Sequence, residues 1–192
     1  MSHIHIDIEN VSFKYENNHD ILKDLSLHIG ENESVGLVGA NGVGKSTLLK
    51  LLVGLNPVYE GSIRVEEIPV KKETLAQIRA KIGYVFQDSD SQLFMSTVYE
   101  DVAFAPRNYG LPEDEVERRV HHALEQVGMM HMKDKQIYKM SGGEKKLASI
   151  ATILSMTPDI LLMDEPSVAL DPRNRSKLIN ILRSFEHLKI IS

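Results

Sequence analysis

The stretch GANGVGKST, from Gly39 to Thr47, restricts the possible folds more than any other part of this chain. It joins the apolar run SVGLV to LLKLLVGL, in which apolar residues recur at helical spacing, so a strand hands over to a helix through a glycine-rich loop. Gly39, four residues, Gly44, Lys45 and Ser46 form the pattern of a phosphate-binding loop, and a buried strand before it with a helix behind it is the context such a loop requires. Glycines let successive backbone N–H groups turn inward, the helix start adds the positive end of its dipole, and Lys45 supplies a point charge for the outer phosphates. Asn41, Gly42 and Thr47 belong to the same expected binding loop, and Ser46 is the expected Mg²⁺ ligand. The alternative is a plain glycine turn, which leaves the flanking strand and helix without a purpose.

A triphosphate held in this way needs a second metal contact and a group to orient water. The run DILLMDEP reads as a buried strand ending in two carboxylates, at the strand end where open α/β sheets place ligands. Asp164 is expected to hold Mg²⁺, and Glu165 to act as general base on the attacking water. Taken alone, the acid pair also fits a strand that simply ends in polar residues.

Around these landmarks the chain alternates strands with helices. HIHIDIENVSFKY and ILKDLSLHIGENES alternate apolar and polar residues, predicting a small antiparallel N-terminal part. IGYVFQD is a further strand candidate ending near Gln87, while PEDEVERRVHHALEQVGM and SGGEKKLASIATILSM are amphipathic helices with few strand signals between them. The expected fold class is α/β: a mainly parallel sheet flanked by helices, with a helical subdomain inserted over about 88–158 in a single domain spanning 1–192.

Composition removes several other chemistries. The net charge of −5 gives no general basis for binding nucleic acid, and the absence of cysteine excludes disulfides, thiolate zinc sites and a cysteine nucleophile. No apolar run reaches the roughly 18 residues of a membrane span, and MSHIHIDIEN lacks the apolar core of a signal peptide, so the inside of a cell is the expected compartment. His3 and His5, on one strand face, and the pair His121 and His122 read as solvated surface residues, because no acid or cysteine completes a ligand set at suitable spacing.

With MSGGEKK standing between the glycine loop and the acid pair, the chain resembles the ATP-binding cassette (ABC) ATPases over nearly its whole length. The resemblance implies a P-loop nucleotide hydrolase of ABC type with ATP and Mg²⁺ as its ligands. It implies that Ser141, Gly142 and Gly143 contact the γ-phosphate of ATP held by a second subunit, identical or homologous. Ser141 and Glu144 also satisfy the Ser-x-x-Glu capping box, so the residues alone allow an ordinary helix start. By the same resemblance Tyr15 stacks on adenine, Gln87 senses the γ-phosphate and Mg²⁺, and SVALD meets the partner subunit; without it, Tyr15 reads as a packing residue.

A narrower likeness, carried by Gln92, QLF and EDVAFAP, is to the ATPases of cobalt and nickel importers and of energy-coupling-factor transporters. It implies transmembrane transporter subunits as partners, a place on the cytoplasmic face of the membrane, and no nucleic acid. Leu93 and Phe94 are then candidate exposed anchors for a transmembrane subunit, the alternative being that both are core. The rival function is a soluble ABC ATPase acting on nucleic acid or ribosomes, which the short chain with one cassette disfavours.

Two departures from the family pattern stand out. The family carries a switch histidine just past the strand following the acid pair; the sequence reaches Ser192 without one, so the expectation is either C-terminal truncation or a switchless variant, and His187 reads as the end of a helix. Met140 and Glu144 replace the commoner leucine and glutamine of the signature, and a carboxylate there is expected to repel a partner's triphosphate unless capping turns it back onto its own helix.

Overall fold

The computed structural model describes residues 4–15, 20–56, 58–168 and 170–192. Along the chain these form β1 (Ile4–Lys14), β2 (Asp20–Gly30), β3 (Ser34–Gly36), α1 (Lys45–Leu52), β4 (Glu60–Val65), β5 (Ile68–Pro69) and α2 (Leu75–Lys81). There follow β6 (Ile82–Val85), α3 (Val98–Asn108), α4 (Glu113–Gln126), α5 (Gly142–Leu154), β7 (Ile160–Met163), α6 (Pro172–Ser184) and β8 (Leu188–Ile191). They group into two compact units, one of residues 1–82, 159–164 and 187–192, the other of 83–158 and 165–186.

The first unit holds an antiparallel sheet of order β2-β1-β4-β5. Alternation drives β1: Ile6, Ile8, Val11 and Phe13 are all buried. The odd step from Ile8 to Val11 is a bulge, where Asn10 takes a φ of 50° and its N–H donates to Ser26 Oγ at 2.9 Å. One extra residue thereby restores the inward face of the strand. β4 and β5 are joined by Glu66 and Glu67, both at positive φ as a tight two-residue hairpin turn demands.

In the second sheet β3, β8 and β7 lie side by side in that order and run parallel, with Val35 opposite Ile190 and Ile190 opposite Leu162. β7 is buried at every position, as a strand covered on both faces should be. The run before the glycine loop departs from expectation. It is not a buried strand: β3 covers only Ser34–Gly36, Val35 is half-buried, and Val38 is 98% exposed. Its described ladder is to β8 alone, continued by the Leu37 N–H, which donates to Ile191 O at 2.8 Å. His187 also lies elsewhere than expected, because α6 ends at Ser184 and the histidine sits exposed in the bend leading into β8.

His5 is not solvated. Its Nε2 lies 3.0 Å from Glu66 Oε1, a carboxylate also paired with Lys81, and its Nδ1 is buried with no hydrogen-bond partner among the described residues. His3 falls outside the described residues.

The second unit is mainly helical. Each of α3, α5 and α6 begins with a side-chain cap, from Thr97, Ser141 and Asp171 respectively, which satisfies N–H groups the first turn leaves orphaned. Val98, Val102, Val116, Val120, Leu124 and Ile150 are fully buried in its core. Asp101 is buried as well; its Oδ1 accepts the N–H of Phe94 at 3.1 Å and of Met95 at 3.2 Å. Burial raises its pKa, with the two backbone donors opposing.

Candidate nucleotide site

In the first unit, the loop after β3 reaches α1 by backbone that glycine alone adopts freely: φ is 80° at Gly42 and 105° at Gly44. A Cβ on Gly44 would meet Ile21 O and the side chains of Ile21 and Leu22 at 3.0–3.1 Å. Residues 39–43 are exposed, whereas Gly44 and Thr47 are buried where the helix begins. No side chain caps α1 and no acid stands in its first turn, so the N-terminal end of its dipole is not offset by the helix's own residues. Lys45 folds over the loop instead, its Nζ donating to Gly39 O at 2.9 Å and Ala40 O at 3.1 Å. An ammonium held over the loop backbone is placed to meet an anion lodged there.

Ser46 and Asp164, 118 residues apart in sequence, meet at the base of this loop. Ser46 Oγ donates to Asp164 Oδ1 at 2.8 Å, and Ser192 Oγ donates to the same oxygen at 2.8 Å. Asp164 is 3% exposed at the end of β7. A hydroxyl and a buried carboxylate in contact are hard oxygen donors of the kind Mg²⁺ accepts, so these residues fit the ion. Tyr15, beyond the end of β1, packs edge-on against Phe13 with ring centroids 4.8 Å apart. Its hydroxyl lies 3.3 Å from Thr47 Oγ1, and nearly half of it is exposed.

Two further groups named by the sequence lie in the second unit. Gln87, two residues past β6, donates from Nε2 to Glu165 Oε2 at 2.7 Å. An amide donor fixes that carboxylate oxygen as an acceptor, the form a general base needs. Glu165 itself has a φ of 43°, a left-handed backbone rare outside glycine and of the kind stored at functional sites.

The signature residues form the start of α5. Ser141 is extended at the N-cap with φ −69° and ψ 161°, its Oγ accepts the N–H of Glu144 at 3.4 Å, and Glu144 Oε2 accepts the N–H of Ser141 at 2.8 Å. Ser141 and Gly142 are exposed, and a Cβ on Gly142 would meet nothing within 4 Å. Glu144 is thus turned onto its own helix, and Lys135 Nζ bonds both of its oxygens, at 3.0 and 2.9 Å. The Ser141 N–H, followed by Lys135, holds the Glu144 pKa below the usual carboxylate value.

Two lysines of this unit make contacts that the sequence motifs do not specify. Lys146, 2% exposed on α5, donates to Phe86 O at 2.8 Å and Gln87 O at 2.6 Å. A signal for it exists: a charged residue at the spacing of Ile150 on the buried face of a helix must find acceptors. Lys135 offers no such signal. Gln92 turns inward, accepting the N–H of Phe86 at 3.2 Å and donating to Ser149 O and Thr152 Oγ1. Leu93 and Phe94 separate: Leu93 is buried, correcting its reading as an exposed anchor, whereas Phe94 is 64% exposed and stacks edge-on with Phe104 at 4.8 Å. The turn that follows Asp88 sends the two side chains to opposite sides, with the N–H groups of Gln92 and Leu93 both directed to Ser89 O. SVALD includes Ala169, which lies outside the described residues.

Comparison with known proteins gives the family. The ABC transporter family model matches residues 22–168. A Geobacter sulfurreducens protein, provisionally named an ABC transporter ATP-binding protein, is 49% identical over the whole chain, which spans 77% of it. The energy-coupling factor transporter ATP-binding protein EcfA of Methanothermobacter thermautotrophicus is 43% identical over 92% of this chain and 58% of that protein. Among solved structures, CbiO1 of Clostridium perfringens, part of an ABC transporter complex, superposes with a TM-score of 0.86 at 36% identity, covering all of this chain and 78% of that one. The chain belongs to the ABC transporter ATP-binding family, whose members hydrolyse ATP.

Proposed function

We propose that this chain is the ATP-hydrolysing subunit of a membrane importer of the cobalt/nickel or energy-coupling-factor type, working as a pair of cassettes that ATP draws together. The likeness to EcfA and CbiO1 supports the transporter class. The observation that carries the nucleotide chemistry is the Ser46–Asp164 hydrogen bond at 2.8 Å beside a glycine loop over which Lys45 folds. Both units form one cassette domain in this reading.

Lys45 exchanges its bonds to Gly39 O and Ala40 O for phosphate oxygens, while Asn41, Gly42, Gly44 and Thr47 present the loop and Tyr15 offers an exposed ring to adenine. Ser46 and Asp164, with Gln87, would hold Mg²⁺, which when bound offsets charge on the outer phosphates. Glu165 takes a proton from water as its oxygen bonds to the γ-phosphorus; the bond from that phosphorus to the ADP oxygen breaks, leaving ADP and phosphate. Gln87 orients Glu165 through its amide. Ser141, Gly142 and Gly143 of one copy meet the γ-phosphate held by the other, two half-sites related by a two-fold axis.

Among the described residues no helix is long and apolar enough to cross a membrane. In this reading coupling runs through a docked transmembrane subunit, with the exposed Phe94 as anchor. In membranes from the native cells, Phe94→Glu is expected to abolish co-sedimentation while ATP binding persists. Glu165→Gln should keep ATP bound while turnover falls by about two to four orders of magnitude. Full membrane association of Phe94→Glu would remove the anchor, and undiminished turnover of Glu165→Gln would remove the base.

A further inference from the structure

We propose that Lys135 is a positioning residue for the signature: by bonding both oxygens of Glu144 it neutralises the acid beside an anion-receiving helix start and keeps that acid turned onto Ser141. The proposal rests on the two-cassette reading above.

A carboxylate in the first turn of a helix offsets the dipole that an incoming anion would use. At α5 the carboxylate is Glu144, three residues past the cap. Left uncompensated it competes with a partner's terminal phosphate for the same N–H groups and repels it. The geometry answers both effects. Oε2 is committed to the Ser141 N–H, and the Lys135 ammonium sits across both oxygens, leaving a neutral pair folded against the cap. With side chains 32% and 24% exposed, the pair is less screened than a fully solvated one.

Lys135 is itself built into place. Its carbonyl accepts the N–H of Val98, the first residue of α3, at 3.1 Å, Lys133 O accepts that of Tyr99 at 2.8 Å, and Gln136 bridges Thr97. One short segment therefore supplies a carbonyl to the start of one helix and an ammonium to the start of another. The neighbouring lysines are committed differently: Lys145 pairs with Asp90, Lys146 with the carbonyls of Phe86 and Gln87, and Lys139 lies over the Tyr138 ring.

The test uses the full chain carrying Glu165→Gln, with pairing followed by analytical ultracentrifugation across an ATP titration and nucleotide binding to the unpaired chain measured separately. Lys135→Met is expected to raise the ATP concentration for half-maximal pairing about tenfold, with nucleotide binding to the single chain unchanged. Adding Glu144→Gln should bring pairing back to within about twofold, because the charge needing compensation has gone; Lys135→Arg should pair nearly as the parent does. Lys135→Met pairing like the parent would overturn the proposal. So would a double variant as weak as Lys135→Met alone, which would make the loss one of packing. A parent that does not pair with ATP at all overturns the two-cassette reading, and this proposal with it.

Discussion

The glycine loop before α1 and the signature turn before α5 are both helix starts open to an anion, and they are built in opposite ways. At α1 the backbone turns through positive φ at Gly42 and Gly44, no side chain caps the helix, and the loop carries its own cation in Lys45. At α5 the backbone is ordinary: an extended serine caps it, a glutamate closes the box, and the compensating cation comes from a residue nine positions earlier. In the proposed function the first start keeps its ligand, and the second, a capped helix end, lends its amides to a partner's. Glycine has a different purpose in each, conformational at Gly44 and spatial at Gly142, where a side chain would stand in open space.

That contrast can be broken most sharply at the cations. Lys45→Ala should weaken ATP binding by about a hundredfold or more by calorimetry, since a charge-assisted contact inside an amide nest has no substitute within the loop. Retained affinity would mean that the amides suffice and that the two starts are alike. The glycines sharpen it next. Gly44→Ala should cost about 1–3 kcal/mol in denaturant unfolding, from left-handed strain and the 3.0–3.1 Å contacts its Cβ would make, whereas Gly142→Ala should be neutral or gain up to about 1 kcal/mol from helix propensity while impairing ATP-driven pairing. Equal losses at both positions would refute the distinction.

The smallest effect concerns pH. Glu144 has its folded pKa below the ordinary 4.5, so its contribution to stability is present above that value and is lost as pH falls through the depressed one. Glu144→Gln should therefore lower stability slightly at neutral pH and match the parent once pH falls below the depressed pKa, which flattens the acid limb of the curve, as pH-dependent thermal melts would register.

Local rules carried much of this molecule. The glycine spacing, the Ser141–Glu144 box and the buried run of β7 all act within a few residues, and each is where the pattern puts it. Ser46 and Asp164 could be paired in advance because two motifs named them. What stayed hidden depends on neighbours remote in sequence. An apolar run such as SVGLVG does not say how many strands flank it, so its exposure was illegible. Leu93 and Phe94 are adjacent and equally apolar, and only the turn closed onto Ser89 O decides which one faces inward. Lys135 lies in a segment without periodicity, and its partner is fixed by where that segment crosses the starts of α3 and α5.

Lys146 gives the signature helix a mechanical role. With its ammonium enclosed and bonded to the carbonyls of Phe86 and Gln87, α5 cannot slide past the exit of β6 without stripping a desolvated charge of its acceptors. The helix and that backbone thus travel together, like a crank keyed to its shaft. The residue so tied to α5, Gln87, is the one whose side-chain amide bonds Glu165.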